Sequence, residues 1–107
     1  SELFSAEKAL LKGMKKSILM VAGAAAQKFG AKFADEQEIM MYLADMLIEV
    51  FVSESVLLRV EKLIQLRGEK ACQTEKDMAL VYLHESLDVF TKAGRDAVNS
   101  FATADEQ

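Results

Sequence analysis

The chain has no proline, one cysteine and one histidine in 107 residues, and each scarcity removes a class of explanation. Without proline, no ring clash or missing amide donor interrupts a helix, so helices are free to run long. Cys72 cannot close an internal disulfide and no secretory signal precedes the first helix, which makes a reducing, cytoplasmic setting the expectation. The thiol is read as free and buried or half-buried, because no basic setting for a low-pKa thiolate is evident around it. His84 excludes histidine-rich metal sites, and its place beside Glu85 on a polar helix side marks it as a solvated surface residue. There is also no Glu-x-x-His pair, phosphate-cradling glycine loop, dinucleotide fingerprint or nucleophile triad.

What is present is aliphatic and charged. Hydrophobic residues make up 51% and charged residues 28%, the composition of a globular helical domain and not of a disordered one. The length suits one domain and is too short for a cofactor-binding fold together with a substrate domain. The net charge of -4 conceals an asymmetry: residues 1–33 hold six lysines against Glu2 and Glu7, whereas residues 34–107 hold seven basic against fifteen acidic residues. A basic first helix lying against acidic neighbours is the reading this predicts. Nucleic acid is not an expected partner, because the lysines are few and no aromatic-interleaved basic patch accompanies them. The opening Ser1-Glu2, in place of methionine, suggests a processed chain or an excised piece of a longer protein.

Period and punctuation predict an all-α fold with three helices over about residues 6–29, 35–67 and 74–101. Ser5 is the expected N-cap of the first, Glu7 lies in its first turn, and Gly30 stands where a left-handed closing residue belongs. Its centre, Ile18 to Ala26, is apolar or small for nine residues, well short of the roughly 20 needed to span a bilayer. The run Ala22 to Ala26 is expected to let a neighbouring backbone approach closely. Asp35, with Glu38 three residues on, reads as a capping box for the second helix, and Gly68 closes it. From Asp35 to Arg67 that helix runs thirty-three residues without glycine or proline. Thr74 is the expected start of the third helix, with Glu75 and Asp77 in the first turn, and the tail from Thr103 is expected to fray. Short joints force consecutive helices antiparallel, giving an up-down-up three-helix bundle with a long central helix.

The seams follow from spacing. Leu80, Leu83, Leu87, Phe90, Gly94, Ala97 and Phe101 form one on the third helix, opposite a polar side of His84, Glu85, Asp88, Thr91, Lys92, Arg95, Asp96 and Asn99. The second helix offers Ile39, Leu43, Met46, Val50, Ser53, Leu57, Val60 and Ile64, flanked by Met40, Ala44, Leu47, Phe51 and Leu58, which are expected to face the other partner helix. Beyond both lies an outer strip of Met41, Ile48, Val52 and Val56 among Glu38, Asp45, Glu49 and Arg59. Such residues are either scattered surface hydrophobes or a docking strip for another domain or subunit. Asp45 and Glu49 share a helical face, where a carboxylate pair could raise a pKa, although solvated acids or pairing with a neighbour's bases is the stronger reading. No catalytic, cofactor-binding or metal-binding residue is nominated.

Leu43-Ala44-Asp45, then Ile48-Glu49-Val50-Phe51, then Leu57-Leu58-Arg59 resembles the C-terminal region of very-long-chain-type acyl-CoA dehydrogenases. Met20 to Gly30 resembles the preceding helix in the bacterial branch of that family. Phe51 departs from the pattern, standing where a tyrosine is expected, which removes a hydroxyl. The resemblance implies an FAD-dependent parent enzyme of fatty acid β-oxidation that forms a trans-2-enoyl-CoA, with a glutamate taking the α-proton, flavin N5 the β-hydride, and an electron-transferring flavoprotein as oxidant. That catalytic core would lie upstream, and its base and flavin contacts have no counterpart here. The resemblance therefore implies an accessory helical domain whose partner is the parent's catalytic domain or a second subunit. A free-standing helical adaptor using the same strip is the alternative from another class. A weak membrane-surface contact through Lys8, Lys12, Lys15 and Lys16 ranks below both.

Overall fold

With neither glycine nor proline to interrupt it, Gln37–Arg67 forms one unbroken helix of 31 residues, α2, at the centre of the molecule. The computed structural model describes the backbone of residues 3–106, and the side chains of that span apart from those of 33–35 and 101–106. Helix α1 covers Ser5–Phe29 and α3 covers Gln73–Glu106, with 3₁₀ segments at Gly30–Asp35 and Lys70–Cys72 in the two joints. Gly30 and Gly68 hold φ of 56° and 89°, a region where a Cβ is strained, and their amides close α1 on the Ala26 carbonyl and α2 on the Ile64 carbonyl.

Side-chain pairings fix the topology. Lys8 meets Glu61 and Lys15 meets Glu54, so a step forward along α1 is a step back along α2. Ser86 meets Glu49 and Ser100 meets Glu38, which sets α3 antiparallel to α2 as well. The result is an all-α, up-down-up bundle of three helices, 57 × 19 × 19 Å. The basic first helix lies against acids of α2, as its charge predicts.

The α2 seam lies where spacing puts it. Ile39, Leu43, Met46, Val50, Ser53, Leu57 and Val60 are buried and Ile64 packs at the rim. The α3 seam is turned by part of a step. Its deepest positions are Ala79, Leu83, Ser86, Phe90, Ala93 and Ala97, while Leu80 and Leu87 are half-buried beside them. Small residues at 79, 86 and 93 let α2 approach closely, and the two leucines are left to fill the flank. Gly94 serves that packing too: a Cβ there would lie 3.4 Å from the terminal methyl of Met46. Phe101, expected in this seam, falls outside the described side chains. Of the small run on α1, Ala25 is buried and Ala22 half-buried, but Gly23, Ala24 and Ala26 are exposed, so close approach involves one side of it only.

The helix starts differ from expectation. Phe4, and not Ser5, occupies the N-cap of α1 in the left-handed region, φ 59° and ψ 23°, with no side-chain cap. Its ring is buried, and burial of an aromatic side chain, worth about 2–3 kcal/mol, offsets a backbone strain of roughly 1–3 kcal/mol. Asp35 closes the first 3₁₀ segment and Glu36 takes the N-cap of α2 without a side-chain cap, while the Asp35 side chain of the expected capping box lies outside the described side chains. Glu38 lies 3.4 Å from both the Tyr42 and Ser100 hydroxyls. Helix α3 begins one residue before Thr74, where Gln73 Nε2 donates to Asp77 Oδ1 at 2.8 Å, and continues to Glu106 past the expected end at 101 and through the expected fray. Nothing in Ala102 to Glu106 breaks a helix, and Ala, Asp and Glu all tolerate one.

Candidate interaction surface

At about 3.6 residues per turn, the buried α2 seam leaves the rest of the circumference to be covered by other elements. Helix α1 approaches on one side, where Lys8 and Lys15 reach Glu61 and Glu54, and α3 on the other, through Ser53, Ser86 and Glu49. The back of the helix meets neither. Of the expected strip, Met41, Ile48 and Val52 are exposed, at 65%, 56% and 40%, whereas Val56 is half-buried against the core.

The flanking residues correct the sequence reading. Met40, Ala44, Leu47, Phe51 and Leu58 are exposed and not covered by a partner helix. Phe51 reaches 64%. The reason is geometric: α1 rests over the side marked by Glu54 and Glu61, and its inner face there is spent on Leu11 and Met14, so the flank beyond is left open. Uncovered apolar surface on α2 is therefore wider than the four-residue strip, with Met41, Ile48 and Val52 beside Leu47 and Phe51. A contiguous patch of this kind is unusual on an isolated domain.

Two hollows lie along the back. One of about 350 Å³ runs between α2 and α3, lined by Val56, Val60, Leu63, Met78, Ala79 and Tyr82 with Arg59 and Glu75 at its edges. The other, about 290 Å³, is formed by Phe51, Val52 and Ser55 and shares Val56 and Arg59 with the first. Burial, and after it the nearby Glu49 carboxylate, pushes the Tyr82 phenol above its ordinary value, keeping this groove uncharged at the phenol. Across the molecule, a third hollow of about 350 Å³ between α1 and α2 has Leu11, Leu57 and Leu58 beneath Lys8, Lys12, Lys15 and Glu54.

The polar candidates resolve into structure. Glu49 does not pair with Asp45; its Oε1 accepts from Ser86 Oγ at 2.6 Å, and Ser86 accepts from Ser53 at 2.9 Å. His84 is exposed and Cys72 is buried. Among the described residues no group of three histidine, cysteine or acidic side chains converges, and no buried side-chain polar atom lacks a partner. The two hollows along the back are mainly apolar, with Arg59 and Glu75 their charged lining residues, so these residues do not fit a flavin, whose ring and pyrophosphate need several directed donors. Among the described residues no helix is long and apolar enough to cross a membrane. The Ser53–Ser86–Glu49 network escaped sequence reasoning, and its signal was a serine at a seam position on each of two facing helices.

Comparison with known proteins gives this surface its setting. Residues 13–107 match the family model described as acyl-CoA dehydrogenase, C-terminal domain. The chain belongs to that family. A protein of Bacillus subtilis (strain 168) named "Probable acyl-CoA dehydrogenase" is 45% identical over 74 residues, 68% of this chain and 12% of that protein. The chain thus corresponds to a small part of the relative's length. No solved structure matches it. The family model takes in α2, α3 and most of α1, so the exposed α2 surface lies wholly within the matched C-terminal domain.

Proposed function

We propose that this chain is the accessory C-terminal helical domain of a very-long-chain-type, FAD-dependent acyl-CoA dehydrogenase of fatty acid β-oxidation, and that it acts by docking and not by chemistry. The observation that carries the reading is the uncovered apolar back of α2, Met41, Ile48 and Val52 with half-buried Val56, in a matched C-terminal domain whose described residues form no metal-ligating cluster. In this reading the catalytic domain of the parent, or a second subunit, covers that strip, and FAD and the acyl-CoA are held upstream in a cytoplasmic enzyme. The family membership and the small share of the relative that the chain spans support placing the chemistry elsewhere.

Ile48→Asp with Val52→Asp tests this in the full-length protein. Two carboxylates on a surface that must be dry when docked should release the domain, seen as faster proteolysis between it and the remainder and as loss of assembly. The same pair should leave the helicity of the 107-residue chain unchanged, because both side chains face solvent there. Normal assembly of the full-length double variant, or unfolding of the short chain, would refute the docking assignment.

A further inference from the structure

Resting on the docking reading, we propose that the groove between α2 and α3 on the side away from α1 seats a basic amphipathic helix, supplied by the same polypeptide outside these 107 residues. Both walls carry a second helical seam. On α2 it runs through Met41, Ile48, Val52, Val56 and Leu63, with Asp45 and Arg59 interleaved; on α3, Met78, Tyr82, Glu85, Val89 and Lys92 follow at intervals of four, three, four and three. A regular seam of this spacing on each of two neighbouring helices is what a third helix lies in. The hollow of about 350 Å³ between Leu63, Met78 and Tyr82 is one stretch of that seat.

Charge selects the kind of helix. On the opposite side of α2, the acids Glu54 and Glu61, seven residues apart, are each met by a lysine of α1, Lys15 and Lys8, also seven apart. The groove side carries acids as well, Asp45 and Glu49 on α2 and Glu75 and Glu85 on α3, though not at that seven-residue spacing. Asp45 and Glu85 make no ion pair among the described residues, and Glu49 and Glu75 stand on the same walls. Against them are Arg59 and Lys92, and Lys92 already holds Asp96 at 3.3 Å. An apolar seat with an acidic rim fits an apolar helix face edged with lysine. A second copy's α1 is a poorer occupant, since its Lys8 and Lys15 are engaged with Glu61 and Glu54. The aligned 74 residues are 12% of the Bacillus subtilis relative, so a protein of that layout has ample chain outside to provide the helix.

Carbodiimide cross-linking of the full-length protein, which joins carboxylates to lysines in contact, tests the inference directly. The expected result is linkage of Asp45 and Glu85 to lysines of one helix outside residues 1–107, within a single polypeptide. Asp45→Lys with Glu85→Lys should abolish those links and raise maleimide labelling of a Val52→Cys probe about tenfold. Links only to Lys12 or Lys16 of a second copy, or none to any lysine, overturn the inference. If Val52→Cys is shielded in the full-length protein but no basic helix is linked, the docking reading stands and this inference falls; if Val52→Cys labels freely, both fall.

Discussion

Ser86→Ala removes a hydroxyl at the middle of the α2–α3 contact that accepts from Ser53 Oγ at 2.9 Å and donates to Glu49 Oε1 at 2.6 Å. Ser53 and Ser86 are 1% and 3% exposed, so water does not readily replace what is lost. Leaving the Ser53 hydroxyl buried without its acceptor costs roughly 1–3 kcal/mol. Glu49 also loses a bond, but it is only half-buried and water can take that place, which holds the total near 2 kcal/mol. At roughly 4–8 °C per kcal/mol for a domain of about this size, the melting temperature should fall by about 10 °C. Removing both partners with Ser53→Ala and Ser86→Ala deletes donor and acceptor together and should be milder than Ser86→Ala alone, a loss of about 1 kcal/mol. Urea unfolding followed by circular dichroism measures Ser53→Ala, Ser86→Ala and the double variant, with an unchanged denaturant slope showing that only stability moved. A Ser86→Ala loss below about 0.5 kcal/mol, or a double variant that loses the sum of the singles, would refute the reasoning. The network also sets register: aliphatic seams pack at several offsets, but a one-turn slip of α3 on α2 would bury both serines unpaired.

Leu57 is 1% exposed and its neighbour Leu58 is 56% exposed, so Leu57→Ala should destabilise the chain by about 2–5 kcal/mol and Leu58→Ala by less than about 0.5 kcal/mol, both read by urea unfolding. Gly13 and Gly23 lie inside α1 with nothing near the position of an added Cβ, so Gly13→Ala and Gly23→Ala should each stabilise by about 0.5–1 kcal/mol and add in combination. The Tyr82 phenol is held above its ordinary value, so the folded chain keeps that proton to higher pH than the unfolded chain does. Its contribution is therefore complete below about pH 10 and is lost as pH rises through the folded value, and Tyr82→Phe should lose less stability than the parent as pH is raised above about 10.

Much of this was legible because α2 carries its pattern in large aliphatic residues. The interval from Ile39 through Leu57 to Ile64 repeats every three or four positions, and only one rotation of the helix buries them all. Helix α3 was harder. Its deepest positions include Ala79, Ser86 and Ala93, which carry little apolar signal beside Leu80 and Leu87, so spacing drew the seam through the leucines while close packing chose the small residues. The caps failed for a related reason. Rules for Ser5 and Asp35 describe a helix end in water, but Phe4 is anchored by its buried ring and Asp35 is absorbed into a 3₁₀ segment. The flank of Met40, Leu47, Phe51 and Leu58 was read as covered because its apolar character demands a cover. Sequence shows the demand and not its source, and within these three helices nothing meets it.

The size of that unmet demand bears on which kind of partner suits it. Burying a large aliphatic side chain gives about 1.5–3 kcal/mol, and Met41, Ile48 and Val52 stand roughly half-exposed, so the strip offers about 2–5 kcal/mol on docking. Two independent proteins give up about 4–15 kcal/mol of translational and rotational freedom on association. The strip alone does not overcome that, which weighs against a free-standing adaptor working through these residues. A partner on the same polypeptide is already at an effective concentration near millimolar, so against a free partner at about micromolar concentration roughly 4 kcal/mol less is asked of the contacts. A strip of a few kcal/mol therefore favours a tethered partner over a free one. Adding Leu47 and Phe51 to the covered area strengthens docking but leaves the comparison in the same order, because a tethered partner keeps its advantage in effective concentration.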